Sequence, residues 1–387
     1  MSGKLSSSNA ESATIRDAMS KTSSVAASGS KGDPDVILVT LVPEKKGLFL
    51  KHSEYEISSR NYKCSVARRY NDFVNLHNLL VTRFPYRMVP RLPPKQLMLD
   101  SLLEERRRGL QRWLKIVSRH PIIGSGSLLR NFLTDSSADH QEHLRELFNS
   151  EPDEFSTLSE EVELPLEDQG RLASNREIMR TMLNAVTRLK KFIDQQVARS
   201  SGKSKDMEDI SSILKLLSSS DRVFTFDTFT DMTRGFHEVA KITEKSAVTL
   251  ESAISERFNM LLDVLTAHSD LCDRVEKGIV AEHQRALTKM LTLNKQKMKG
   301  VIRGTAADNV AALHEKEVAQ TGVVGTLGRR SAFSLQCVLQ ETSLAQEYLQ
   351  ALPSIILAFC NEQNLCNSRA AEIWKEILHA EAKRLNQ

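Results

Sequence analysis

Hydrophobic and polar positions along this chain change their period twice. Between residues 36 and 66 the apolar residues come in short runs: Val36 to Val42, Leu48-Phe49-Leu50, Tyr55-Glu56-Ile57 and Tyr62 to Val66, broken at Glu44 to Gly47 and Ser59 to Asn61. Short β-branched and aromatic runs between polar breaks predict an antiparallel meander of about three strands. The spacing then becomes helical through Asp72, Phe73, Leu76, Leu79, Leu80 and Phe84. An extended proline-rich crossing follows from Pro85 to Pro94, and Leu110, Trp113, Leu114 and Val117 predict another helix ending near His120-Pro121. This first folded stretch, 35–135, is α+β.

After Gly170 no strand pattern returns. Met182, Val186, Leu189 and Ile193, then Phe229, Met232, Phe236 and Val239, then Leu250, Ile254, Phe258, Leu261, Leu265, Cys272, Val275 and Ile279 step by three and four with charges between them. Such a pattern predicts long amphipathic helices packed as a coiled coil. One unbroken helix from Phe226 to about Val301 would extend about 110 Å. A third helix is predicted from Leu335 to Leu352, with a kink at Pro353 and continuation to Leu378, whereas Gly322, Gly325 and Gly328 argue against a rigid helix just before it. Residues 1–34, rich in Ser, Ala and Gly, predict a disordered tail, and 136–170, which contain Pro152 and Pro165, an acidic linker to the all-α region 171–387.

Charge sharpens this division. Residues 35–135 hold 18 Lys and Arg against 9 Asp and Glu, while 136–170 hold 1 against 11. A basic module beside an acidic segment is expected to seek anions. No apolar run approaches the roughly 20 residues of a bilayer span, so any membrane contact would be peripheral. The five cysteines form no CxxC pair and no signal-peptide pattern opens the chain, which predicts an intracellular protein with free thiols. Ser2 stands where myristoylation needs glycine and the chain ends without a prenylation cysteine, so no lipid anchor is expected.

The candidate chemistry lies in three separated basic clusters. Arg68-Arg69-Tyr70 is followed by Pro90-Arg91-Leu92-Pro93-Pro94-Lys95, then by Arg106-Arg107-Arg108-Gly109-Leu110. Guanidinium groups grip phosphate through paired charge-assisted hydrogen bonds and an aromatic face offers a flat floor, so together these residues suit a phosphorylated sugar ring. The segment from Pro90 also reads as PxxPxK, a ligand pattern for SH3 domains. Leu97, Met98 and Leu99 either dip into a bilayer beside the headgroup or pack beneath the following helix. In the helical region Arg285, Lys289, Lys295, Lys297, Lys299 and Arg303 form one candidate membrane-facing set, and Arg188, Lys190 and Lys191 a second; the alternative for each is a solvated helix face. His140 and His143 make an HxxH without a nearby cysteine, and no P-loop, GxGxxG or GxSxG occurs. No enzyme, cofactor or metal is therefore expected, and the basic clusters lack the interleaved aromatics of a nucleic-acid binder.

Through these motifs residues 35–135 resemble the phox-homology (PX) domain of sorting nexins, and 171–387 resemble the three-helix BAR module that often follows it. The resemblance implies an α+β phosphoinositide reader joined to an all-α dimerisation module. It implies that Arg69 grips the 3-phosphate of phosphatidylinositol 3-phosphate, that Tyr70 lies beneath the inositol ring, that Lys95 meets the 1-phosphate and that Arg106 binds ring hydroxyls. It further implies a homodimer or heterodimer that senses or shapes curvature on the cytosolic face of early endosomes, in transport toward the Golgi. The alternative is a coiled-coil adaptor that assembles protein partners, with incidental lipid binding.

Overall fold

The computed structural model describes residues 37–42, 53–95, 100–157, 166–218, 229–303 and 307–385. The tail 1–34, the run Leu48 to Leu50 and the candidate insertion residues Leu97, Met98 and Leu99 lie outside the described residues. Strands β1 (Ile37–Leu41), β2 (Glu54–Ser59) and β3 (Cys64–Arg69) form the expected antiparallel meander, in the order β1-β2-β3. Along β1, Ile37 and Val39 are buried while Leu38 and Thr40 are exposed, the two-residue alternation of a sheet with one covered face. Lys63 takes a left-handed φ of 50° in the turn between β2 and β3, and the Tyr62 amide donates to Ser59 Oγ.

Helices α1 (Tyr70–Arg83), α2 (Asp100–Arg119) and α3 (Ser127–Thr134) complete this first layer. Where β3 passes into α1, the Arg69 amide donates to Asp72 Oδ2 at 2.6 Å. Pro85 disfavours helical backbone at Phe84, where α1 has already ended. Tyr55, Phe73, Leu76, Leu80, Leu110, Trp113 and Leu114 are essentially inaccessible and fill the core, with Phe73 edge-on to Tyr55, Trp113 and Phe132. The acidic segment carries more structure than its composition predicts: α4 (His140–Phe148) buries Leu144 in the same core, and Phe155–Thr157 form a short 3-10 turn.

The long helices are α5 (Leu166–Ser218), α6 (Thr230–Thr249), α7 (Glu256–Val275), α8 (Ala281–Ile302), α9 (Ala307–Leu349) and α10 (Leu352–Leu385). Three expectations need correction here. The helix expected to run unbroken to Val301 is interrupted by π-helical turns at Leu250–Ser255 and Glu276–Val280, the second with Gly278 at φ −91° and ψ −106°. The third helix stops at Leu349 rather than kinking, because Pro353 falls in the first turn of α10, where its missing N–H costs nothing. Conversely, α9 runs straight through Gly322, Gly325 and Gly328, its tertiary packing outweighing their poor helix propensity.

The described residues fall into two compact units. The first joins the stretch ending at Met182 to Asp263–Gln346. In it Tyr86, Leu271, Val275, Ile279, Phe333 and Val338 form a second core between the segment after α1 and the long helices. The second unit joins Leu183–Leu262 to the stretch from Glu347. Its core contains Val186, Ile193, Val239, Leu250, Ile254, Phe258, Ile355 and Ile373, and Phe236 stands edge-on to Trp374. A Cβ on Gly235 would strike Ile377 Cδ1 at 2.3 Å, so glycine is what lets α6 approach α10 this closely.

Candidate functional site

Register places the two arginines of β3 in opposite settings. Arg68 pairs with Tyr55 and Arg69 with Glu54 across β2, and successive side chains of a strand point to opposite faces. Arg68 is buried; its Nε and Nη2 donate to Phe132 O at 3.1 and 2.8 Å, Nη2 also reaches Asp135 O, and Nη1 donates to Ala67 O. It thus caps the carbonyl end of α3. Burial lowers its pKa, a shift that Asp72 and Asp135 oppose. Arg69 is half-exposed and held along one edge, with Nε and Nη2 donating to Glu54 Oε1 at 3.2 and 3.0 Å.

The proline segment returns to this corner because both of its ends are tied. Trp113 Nε1 donates to Pro90 O at 2.8 Å and the Tyr70 hydroxyl donates to Pro93 O at 2.6 Å. A Cβ on Gly109 would meet Pro93 Cβ at 2.9 Å, so glycine in α2 permits the close crossing. Lys95, at the exposed end of the segment, reaches Asn71 Oδ1 at 3.5 Å. Arg106 lies with its guanidinium carbon 5.5 Å from the Tyr70 ring centroid and donates through Nε to the Tyr55 hydroxyl at 2.7 Å. Burial raises the pKa of both tyrosines and the Arg106 charge pulls it back, so both hydroxyls stay neutral, Tyr70 donating to Pro93 O and Tyr55 accepting from Arg106.

Tyr70 and Arg106 are therefore in direct contact, Lys95 sits on the neighbouring Asn71, and Arg69, next in the chain, is turned toward Glu54. The other two arginines of the third cluster are occupied: Arg107 and Arg108 both bind Glu104 at 2.7 and 3.1 Å. A groove of about 1120 Å³ opens beside β3 and α4, lined by Glu54, Arg69, Asp72, His140 and Arg145 among others, but Tyr70, Lys95 and Arg106 do not line it. His140 and His143 face different carboxylates, Asp72 and Asp135, and no group able to hold a metal occurs among the described residues. Burial works against the Asp135 charge, yet the Ser137 amide and His143 hold its pKa down to about 2.

Several residues of the first unit escape a sequence reading. Glu54, the partner of Arg69, is one; its only sequence signal is its place in a strand. The larger omission is a buried polar junction. Glu341 of α9 accepts from Arg87 Nη1 at 3.3 Å, the Met88 amide at 3.3 Å and His120 Nε2 at 3.0 Å. His120 Nδ1 accepts the amides of Ile122 and Ile123, which puts the ring proton on Nε2, toward Glu341. Burial disfavours the Arg87 charge, but Glu154 and Glu341 outweigh it and its pKa rises. Arg274 donates to the carbonyls of Pro85 and Arg87, and Arg91 grips Asp270 through two bonds of 2.6 Å. The PxxP segment is thus engaged inside its own unit and is not an open SH3 ligand.

In α8, Arg285, Lys289, Lys295 and Lys299 are exposed, as is Arg303 just beyond it. Lys297 departs from the set: it is half-buried and pairs with Glu317 of α9 at 2.7 Å.

The PX domain family profile matches residues 56–136. Sorting nexin-8 of Bos taurus is 35% identical over 362 residues, covering 89% of this chain and 79% of that protein. Sorting nexin-8 of Homo sapiens is 34% identical over 363 residues, covering 89% and 78%. Sorting nexin mvp1 of Neurospora crassa is 28% identical over 374 residues, covering 88% of this chain and 46% of that one. Among solved structures, the cryo-EM structure of the SNX-BAR Mvp1 tetramer matches at a TM-score of 0.70 with 19% identity, over 88% of this chain and 99% of that chain, which gives the fold. A PX meander followed by long helices, with sorting nexin-8 proteins similar over most of their length, makes this chain a member of the sorting nexins, of the PX–BAR kind.

Proposed function

We propose that the chain is a non-enzymatic reader of phosphatidylinositol 3-phosphate that dimerises through its helices and senses or shapes membrane curvature. The observation that carries this reading is the Arg106–Tyr70 contact, with Tyr70 also tied to the proline segment that ends at Lys95. Tyr70 supplies the floor for the inositol ring, Arg106 faces its hydroxyls and Lys95 meets the 1-phosphate. Arg69, beside Tyr70, meets the 3-phosphate with the N–H groups that Glu54 leaves free. An opposite charge at 4 Å contributes a gross attraction of about 4 kcal/mol at an effective dielectric of 20, most of it offset by desolvation.

The exposed cations of α8 face an anionic surface, each worth about 1 kcal/mol near it. Leu216 and Leu378, both 71% exposed, and Ile213, 57% exposed, leave apolar surface on the second unit that suits a partner copy in a homodimer, or a related chain in a heterodimer. Two headgroup sites in one dimer raise avidity by about 100-fold without a new contact. The same proposal includes recruitment to the cytosolic face of early endosomes and, on the family resemblance alone, transport toward the Golgi.

Sedimentation with vesicles that contain phosphatidylinositol 3-phosphate tests it. Arg69→Ala is expected to weaken binding by roughly 30-fold or more, from the loss of a charge-assisted pair worth about 2–3 kcal/mol. Unchanged binding, and unchanged endosomal puncta in cells, would return the coiled-coil adaptor reading.

A further inference from the structure

The exposed side of α8 divides into two stripes of different chemistry. At about 100° per residue, Arg285, Lys289, Lys299 and Arg303 share an arc of about 80°, and Lys295 lies at its edge. On the other side of Lys295, within about 40°, come Leu291, Met298 and Ile302. These three are 57%, 65% and 79% exposed, and the adjoining Val301 is 61% exposed. The remaining arc faces α9: Ala286 O accepts from Gln320, Thr321 reaches Met290 Sδ, and Lys297 pairs with Glu317. The apolar stripe is therefore not turned toward the helix packed against α8.

Between Arg285 and Arg303 there is no Asp or Glu. A protein partner could cover the apolar stripe, but the adjoining row of cations without one acid specifies an extended anionic surface that is apolar just beneath. That is the interface of an anionic bilayer, and a cationic stripe beside an apolar one is how a helix lies in it. We infer that the C-terminal half of α8 is a lipid-interface element, with Leu291, Met298 and Ile302 entering the acyl region while Arg285, Lys289, Lys299 and Arg303 stay among the phosphates. Lys295 at the boundary extends its stem along the apolar side and its ammonium toward the headgroups. The inference rests on the membrane reading above and adds insertion to surface attraction.

The test uses the full chain carrying Met298→Trp and vesicles of phosphatidylcholine, phosphatidylserine and phosphatidylinositol 3-phosphate with brominated acyl chains, the wild type supplying the background of its own tryptophans. Bound Met298→Trp is expected to shift to the blue and be quenched beyond that background. A Leu291→Ser, Met298→Ser, Ile302→Ser variant is expected to keep its helix content and bind roughly tenfold more weakly, a deficit that persists at high salt. Vesicle binding with no excess quenching overturns the insertion and leaves the headgroup reading intact. Quenching on phosphatidylserine vesicles that does not depend on phosphatidylinositol 3-phosphate upholds the insertion and overturns the headgroup reading. Failure of the wild type to bind either vesicle overturns both.

Discussion

At the scale of single residues, the tandem arginines show how one motif divides its labour. Arg68 is buried on carbonyls at the end of α3, whereas Arg69 is half-exposed and partnered on one edge only. Arg68→Ala would strand those carbonyls and leave a void, and is expected to destabilise the protein by about 2–4 kcal/mol in urea denaturation. Arg69→Ala takes one partner from the buried carboxylate of Glu54 and is expected to lower the denaturation midpoint less than Arg68→Ala does, while vesicle binding falls. An inverted result, with Arg68→Ala stable and lipid-blind, would exchange the two roles. The residue types and spacing of Arg69, Tyr70, Lys95 and Arg106 were legible in the linear chain; Glu54 was not, because its role comes from standing opposite Arg69 across β2.

At the scale of elements, the glycines of α9 and α2 behave oppositely. A Cβ added at Gly322 or Gly325 meets nothing within 4 Å. Both positions are helical, so Gly322→Ala and Gly325→Ala are each expected to stabilise by about 0.5–1 kcal/mol, read as a higher denaturation midpoint. Gly109→Val should do the reverse. Its side chain would press on the Pro93 ring and push the proline segment off α2, lowering both stability and vesicle affinity. Local propensity suggested a break from Gly322 to Gly328, yet packing on one side of the helix tolerates Gly322 and Gly325 on its exposed side, and Gly328 lies against His283. The same limit explains α4: its acidic composition concealed the single apolar anchor, Leu144, that draws it onto the core.

At the scale of the whole molecule, the polar junction at Glu341 decides which parts of the chain fold together. Arg87, Met88 and His120 come from the first 182 residues and Glu341 from α9, yet all belong to one compact unit. Glu341→Ala would leave the buried guanidinium of Arg87 with Glu154 as its remaining carboxylate and is expected to cost about 3 kcal/mol, with earlier proteolytic cleavage between the PX stretch and the long helices. Glu341→Gln, which retains an acceptor, is expected to lose less. Equal stability of all three proteins would reduce the junction to a passive contact. Since α8 and the PX stretch share this unit, the proposed headgroup site and the proposed helix contact would belong to one body rather than to two tethered modules.

Periodicity alone determined that a short antiparallel meander would precede long amphipathic helices, because side-chain alternation and helical spacing are local consequences of backbone geometry. Residue chemistry alone singled out the cations and the tyrosine able to meet a phosphorylated ring. Glu104 takes Arg107 and Arg108 from within one turn of the same helix, a local pairing. Tertiary structure decided which other cations were available, Arg91 going to Asp270, 179 residues away, and Lys297 to Glu317 of α9. It also decided that Glu341 would bind the PX stretch, and that α8 would turn its apolar stripe away from α9. Each of these depends on which distant side chain arrives within a few ångströms, and the packing of the core decides that.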